Sequence, residues 1–293
     1  MTETSRRFVD YAVVDWSGQA VARPKGLAVA HGSSGTCAPN LLSSEGGWSR
    51  LDMLDWLRRH ADAKTDILIG LDLSPALPFA DAGAYFPGWG GSPPEAKSLW
   101  ALVDRLSSAD QHLSASSLLR HAEVKRHFRQ LNDCGDLFAR GRGRLRVCEE
   151  RQRAMGLSPS SCFNLIGAAQ VGKSSLTGMR MFHQLGGRIP VWPFDPIPDD
   201  GPVIVEIYTS IAARAAAIRK GRSKMRDADS LDTALEALGC EPHVPLARYD
   251  DHATDAILTT AWLRTAAQDP SLWHPAALTP DVAATEGWTF GVT

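Results

Sequence analysis

Tyr11-Ala12-Val13-Val14-Asp15-Trp16-Ser17-Gly18 places four strand-forming residues ahead of a carboxylate and a small-residue turn. Working outward, residues 8–14 are expected to form a strand. Gly26-Leu27-Ala28-Val29-Ala30-His31 is expected to form a second strand that folds back as a hairpin. Asp66-Ile67-Leu68-Ile69-Gly70-Leu71-Asp72 is a continuous apolar run that closes on a second carboxylate, the pattern of a central strand covered on both faces. Val203-Ile204-Val205-Glu206-Ile207-Tyr208 is a third such run, with its acid inside it. Helices are expected where apolar residues recur every three to four positions. These are 48–60, 93–106 behind the capping-box spacing Ser92-Pro93-Pro94-Glu95, a basic helix over 118–133, 174–185 and 211–219. A short helix capped by Ser230 and ended by Gly239 follows, then a long one opened by Tyr249-Asp250-Asp251-His252-Ala253-Thr254-Asp255 and running to about 268. Residues 37–47 read as loop, 162–166 as a short strand and 191–196 as a rigid turn. The tail 269–293 is expected to pack over the core through Trp273, Trp288 and Phe290.

At 293 residues with 44% apolar and 22% charged side chains, the chain has the composition of a soluble globular protein with material for one enlarged core. A net charge of −2 excludes a general polyanion binder, but the charge is uneven. Ten Lys and Arg face five acids between 120 and 153, and six face none between 214 and 226. Such stretches read either as solvated helix faces or as a basic rim around an acidic centre, which suits a phosphate-rich substrate with metal ions. Cys37, Cys134, Cys148, Cys162 and Cys240 are odd in number and include no C-x-x-C pair, so reduced thiols of a cytoplasmic protein are expected. Neither a signal peptide nor a membrane span is expected from any apolar run.

Three apolar strands thus carry Asp15, Asp72 and Glu206, and one helix opens with Asp251 and Asp255 on a single face. Clustered buried carboxylates repel one another unless a cation sits among them. Hard oxygen donors suit Mg²⁺ or Mn²⁺, with His252 completing or tuning the site. Two such ions can clamp the attacking and leaving oxygens of a phosphodiester.

The order strand with Asp, central strand with Asp, strand with Glu, then helix with Asp resembles the RNase H-like superfamily. Val14-Asp15, Gly70-Leu71-Asp72-Leu73-Ser74-Pro75, Val205-Glu206-Ile207-Tyr208 and Asp250-Asp251-His252-Ala253-Thr254-Asp255-Ala256 are similar to a bacterial family of predicted RNase H-like nucleases. The similarity runs from about residue 8 to 265, and Thr209 stands where its pattern leads one to expect Pro. The resemblance implies an α/β fold. Its mixed sheet of about five strands would be flanked by helices and form a single domain over 1–293, with 76–201 as a mostly helical insertion. It also implies a divalent-metal-dependent nuclease or phosphodiesterase with Asp15, Asp72, Glu206 and Asp255 as catalytic metal ligands and Asp251 and His252 as alternates. The substrate would be nucleic acid or a nucleotide-containing phosphodiester. Arg142, Arg144 and Arg146 of the inserted region would meet it, and Phe86 and Trp89, in the aromatic loop after Asp72, are candidates to stack on a base.

A second signal is Gly167-Ala168-Ala169-Gln170-Val171-Gly172-Lys173-Ser174, which matches the phosphate-cradling G-x-x-x-x-G-K-[ST] and opens a helix. It leaves open an NTP-binding phosphotransferase or ATPase, or a loop in which Lys173 and Ser174 hold a substrate phosphate beside the acids. A non-catalytic RNase H-like binding module is the third reading.

Overall fold

The computed structural model describes residues 7–139, 141–166, 171–218 and 225–293. Strands β1 (Asp10–Asp15), β2 (Ala28–Ser33) and β3 (Asn40–Leu42) run antiparallel in sequence order. Helix α1 (Arg50–Ala63) follows, and β4 (Ile67–Leu71) then pairs parallel to β1. Next come α2 (Ala96–Leu106), the short strands β5 (Arg129–Gln130) and β6 (Asp133–Cys134), α3 (Val147–Ala154), α4 (Val171–Leu185) and β7 (Val191–Trp192). Strand β8 (Val203–Glu206) lies parallel between β4 and β7, so the main sheet reads β3-β2-β1-β4-β8-β7. Helices α5 (Thr209–Ala215), α6 (Ala228–Ala237), α7 (Asp251–Ala266), α8 (Pro270–Trp273) and α9 (Pro280–Thr285) complete the chain. The expected mixed α/β sheet flanked by helices is therefore present, with six strands.

The central strands are apolar throughout because both faces are covered. Ala12, Val14, Ile67, Ile69, Leu71 and Ile204 share one core with residues of α1, α2 and α4. Their alternates Tyr11, Val13, Leu68, Val203 and Val205 share the other with α5, α6, α7 and the tail. Gly70 lies under α7, where an added Cβ would stand 2.9 Å from Ile207 and 3.2 Å from Leu263. Trp288 and Phe290 of the tail are fully buried in that second core.

Several local expectations are corrected. The stretch 118–133 forms two 3₁₀ turns, at Leu118–Arg120 and Val124–His127, and then enters β5. Burial of Phe128 against Phe163 draws the chain out of helix there. Residues 93–95 stay outside α2, because Pro94 disfavours the helical region for the residue before it, and Glu95 caps without a side-chain bond. The cap of α6 is Asp227, whose carboxylate accepts from the Ser230 backbone N–H. The loop expected over 37–47 contains β3, and the strand expected over 162–166 is reduced to a single bridge between Asn164 and Arg129. The rigid turn at 191–196 begins as β7. Among the described residues no helix is long and apolar enough to cross a membrane.

Candidate functional site

The parallel strands β1, β4 and β8 end on one edge of the sheet and bring their acids there. Val14 pairs with Leu71 and Leu71 with Glu206, so Asp15, Asp72 and Glu206 lie within one residue of register. The Asp72 N–H still donates to Val14 O at 3.0 Å. The two-residue pleat then separates the three acids. Asp15 and Asp72 alternate with Val14 and Leu71 and so fall toward α7. Glu206, level with Leu71, falls toward the other face.

Helix α7 is capped by Asp250, which accepts from the Ala253 N–H at 3.0 Å and sets His252 and Asp255 into the first turns. His252 Nδ1 lies 2.9 Å from Asp15 Oδ2. Burial pushes the Asp15 carboxyl up against the opposing hydrogen bond and charge of His252, and Asp250 and Asp251 add to the rise. The bond to Asp15 raises His252 in turn, against partial burial. Asp72 is pushed well up by burial and then by the charges of Asp15, Asp255 and Glu206. Asp251 points elsewhere, 3.0 Å from Arg226 Nη2.

Glu206 is held by Arg146, expected to meet substrate but buried here, and by Thr289, to which the sequence reading gave no part. Arg146 Nη2 donates to Glu206 Oε1 at 2.5 Å and Nη1 to Oε2 at 2.8 Å, while the Thr289 hydroxyl donates to Oε1 at 2.7 Å. The remaining Arg146 donors reach Glu149 Oε1 at 2.9 Å, Ser74 Oγ at 3.0 Å and Glu286 O at 3.0 Å. All five guanidinium N–H groups are thus committed in a fully buried setting. Metal ligation by Glu206 does not fit this arrangement, because an ion would compete with a bidentate buried guanidinium. The one signal in the chain was the i, i+3 spacing of Arg146 and Glu149 within the basic run.

A cavity of about 550 Å³ opens on this edge, lined by Asp72, His252, Glu206 and Arg146 together with Lys173 and Ser174 from the first turn of α4. Gly18, three residues after Asp15, brings α4 in: an added Cβ would lie 2.3 Å from Lys173 C and 2.4 Å from Ser174 N. Both sequence signals therefore meet in one cavity, although 167–170 of the glycine-rich motif lie outside the described residues. Asp15, Asp251 and Asp255 are not among the lining residues. Nor are the other expected substrate contacts. Arg142 is exposed on its loop, Trp89 packs on Phe86 and His121, and Arg144 pairs with Asp81 at 2.5 Å and donates to Tyr85 O at 2.8 Å. Trp89 and Arg144 are thus occupied in folding down the loop between β4 and α2. Burial pushes the Cys148 and Cys162 thiols up to about 12, which makes neither a nucleophile at neutral pH.

Among the described residues no three His, Cys, Asp or Glu side chains stand as a ready-made metal-ligand set. In donor chemistry Asp15, Asp72 and Asp255 are the hard oxygen donors a divalent ion takes, and the charges of Asp15 and Asp255 add to burial in pushing the Asp72 carboxyl up. No protein-family model matches the chain, no curated protein matches it significantly, and no solved structure does so either.

Proposed function

We propose that the chain is a phosphodiesterase that hydrolyses a phosphate ester in this cavity with Mg²⁺ or Mn²⁺ held by Asp72 of the lining and by Asp15 and Asp255 behind it. The observation that carries the reading is the meeting of Asp72, His252 and Lys173, from three distant parts of the sequence, in one cavity. The resemblance to RNase H-like nucleases supports the same conclusion, with Glu206 given to Arg146 rather than to metal.

The division of labour follows from the side chains. Lys173 and Ser174, at the start of α4, supply a cation, a hydroxyl and the positive end of the helix dipole to a phosphate. Asp15 fixes the His252 ring; with Nδ1–H donated to the carboxylate, Nε2 is the basic atom left to take a proton from water. A bound ion would supply charge neutralisation at phosphorus.

Hydrolysis of bis(p-nitrophenyl) phosphate tests this reading. Turnover is expected only with added Mg²⁺ or Mn²⁺, falling on the order of 10²-fold in both Asp72→Asn and His252→Ala and severalfold in Lys173→Ala. Absence of turnover with either ion would leave a non-catalytic binding module. Turnover of ATP lost only in Lys173→Ala would favour the phosphotransferase.

A further inference from the structure

The cavity also speaks to the size of its ligand, an inference that rests on the phosphate-ester reading. A polynucleotide track needs several accessible cations spaced along a groove, since phosphate contacts supply most of such affinity. The run 120–153 was the candidate; among its described residues Arg126 pairs with Glu123 and Asp136, Arg144 with Asp81 and Arg153 with Glu150, while Lys125, Arg129, Arg142 and Arg151 are exposed but do not line the cavity. Arg146 is buried on Glu149 and Glu206. In the other basic run, Arg226 is engaged by Asp251, and 219–224 lie outside the described residues.

The cavity lining shows the same economy of positive charge. It carries the carboxylates Asp72, Glu149 and Glu206 against Arg146, whose donors are spent, and Lys173. Among the described lining residues, Lys173 and, when protonated, His252 are the accessible cations beside an acidic wall, which matches a single phosphate accompanied by a divalent ion and repels a run of phosphates. Around it stand neutral hydrogen-bonding groups, Gln19, Ser116, Ser158, Ser160 and Tyr208, brought from separate loops and the β8 exit. These suit the hydroxyls and polar edges of a ring. The volume of about 550 Å³ lies within the roughly 300–1,000 Å³ of pockets that enclose one small ligand.

We propose that the substrate is a small phosphodiester carrying a single hydroxylated ring, a sugar or one nucleoside, taken whole into the cavity rather than as part of a polynucleotide, so that its monoester product occupies the same site. Calorimetric titration of the full chain with Mg²⁺ tests this, using adenosine 5′-monophosphate, ribose 5-phosphate and a 20-nucleotide single strand of DNA or RNA as probes. The monophosphate is expected to bind at submillimolar concentration and at least tenfold more weakly to Ser160→Trp, with Ser116→Trp as a second rim variant should the first fail to fold. The oligonucleotide is expected to bind no better at equal phosphate concentration. Ribose 5-phosphate binding as well as adenosine 5′-monophosphate assigns the recognised part to the sugar phosphate; binding of the nucleotide alone assigns it to the whole nucleoside. Tighter oligonucleotide binding with a steep salt dependence would overturn the proposal, as would binding of neither small ester. Binding without turnover of any ester would uphold the ligand class and remove the hydrolase reading.

Discussion

Asp72 sits at the carboxyl end of a central strand, pushed well up by burial and by three neighbouring acids. A carboxyl that binds its proton more tightly in the native than in the unfolded state costs stability as pH rises from about 4 through its native value. Urea unfolding of the metal-free protein is therefore expected to show Asp72→Asn more stable than wild type at pH 8, with the gain vanishing at pH 4. A variant less stable at pH 8 would mean that the carboxylate is satisfied in the fold. Arg146 is the opposite case. Its charge is desolvated but every donor has a partner, so it holds β8, α3, the tail and the Ser74 loop together rather than facing a ligand.

At the scale of elements, strands were legible because their apolar runs were long and ended on acids, and the pairing of β1 with β2 followed from adjacency. The failures were places where tertiary contacts overrode local pattern. Basic residues over 118–133 looked helical, but Phe128 had to reach Phe163, and the chain took 3₁₀ turns instead. The contact between Gly18 and α4 is likewise invisible to periodicity, because it joins residues more than 150 positions apart. It nevertheless fixes where Lys173 stands relative to Asp15. Gly18→Ala forces backbone apart, and overpacking of this kind typically costs about 1–3 kcal/mol. The expected outcome is a lower melting temperature with ester hydrolysis reduced further than the fraction folded accounts for. Unchanged activity would show that the approach of α4 does not matter to the site.

Over the whole molecule, the chain's order of acids was readable but their direction was not. Counting one acid per strand made Asp15, Asp72 and Glu206 look equivalent. The register and the two-residue pleat turn the first two toward α7 and the third toward Arg146. Choosing among the acids of α7 likewise needed the helix in place: Asp251 meets Arg226, while the charge of Asp255 reaches Asp72. Arg144 and Trp89, read as substrate contacts, proved to be fastenings of the loop after β4, a role that only their partners reveal. What remains is an edge of the sheet where Asp15, Asp72 and Asp255 gather negative charge beside a cavity holding His252 and Lys173. Calorimetric titration of Mn²⁺ into wild type and Asp72→Asn without substrate reads whether that gathering holds an ion. Binding at millimolar concentration or below is expected in wild type and none in Asp72→Asn. Equal heats in both proteins, or none in wild type, would contradict it.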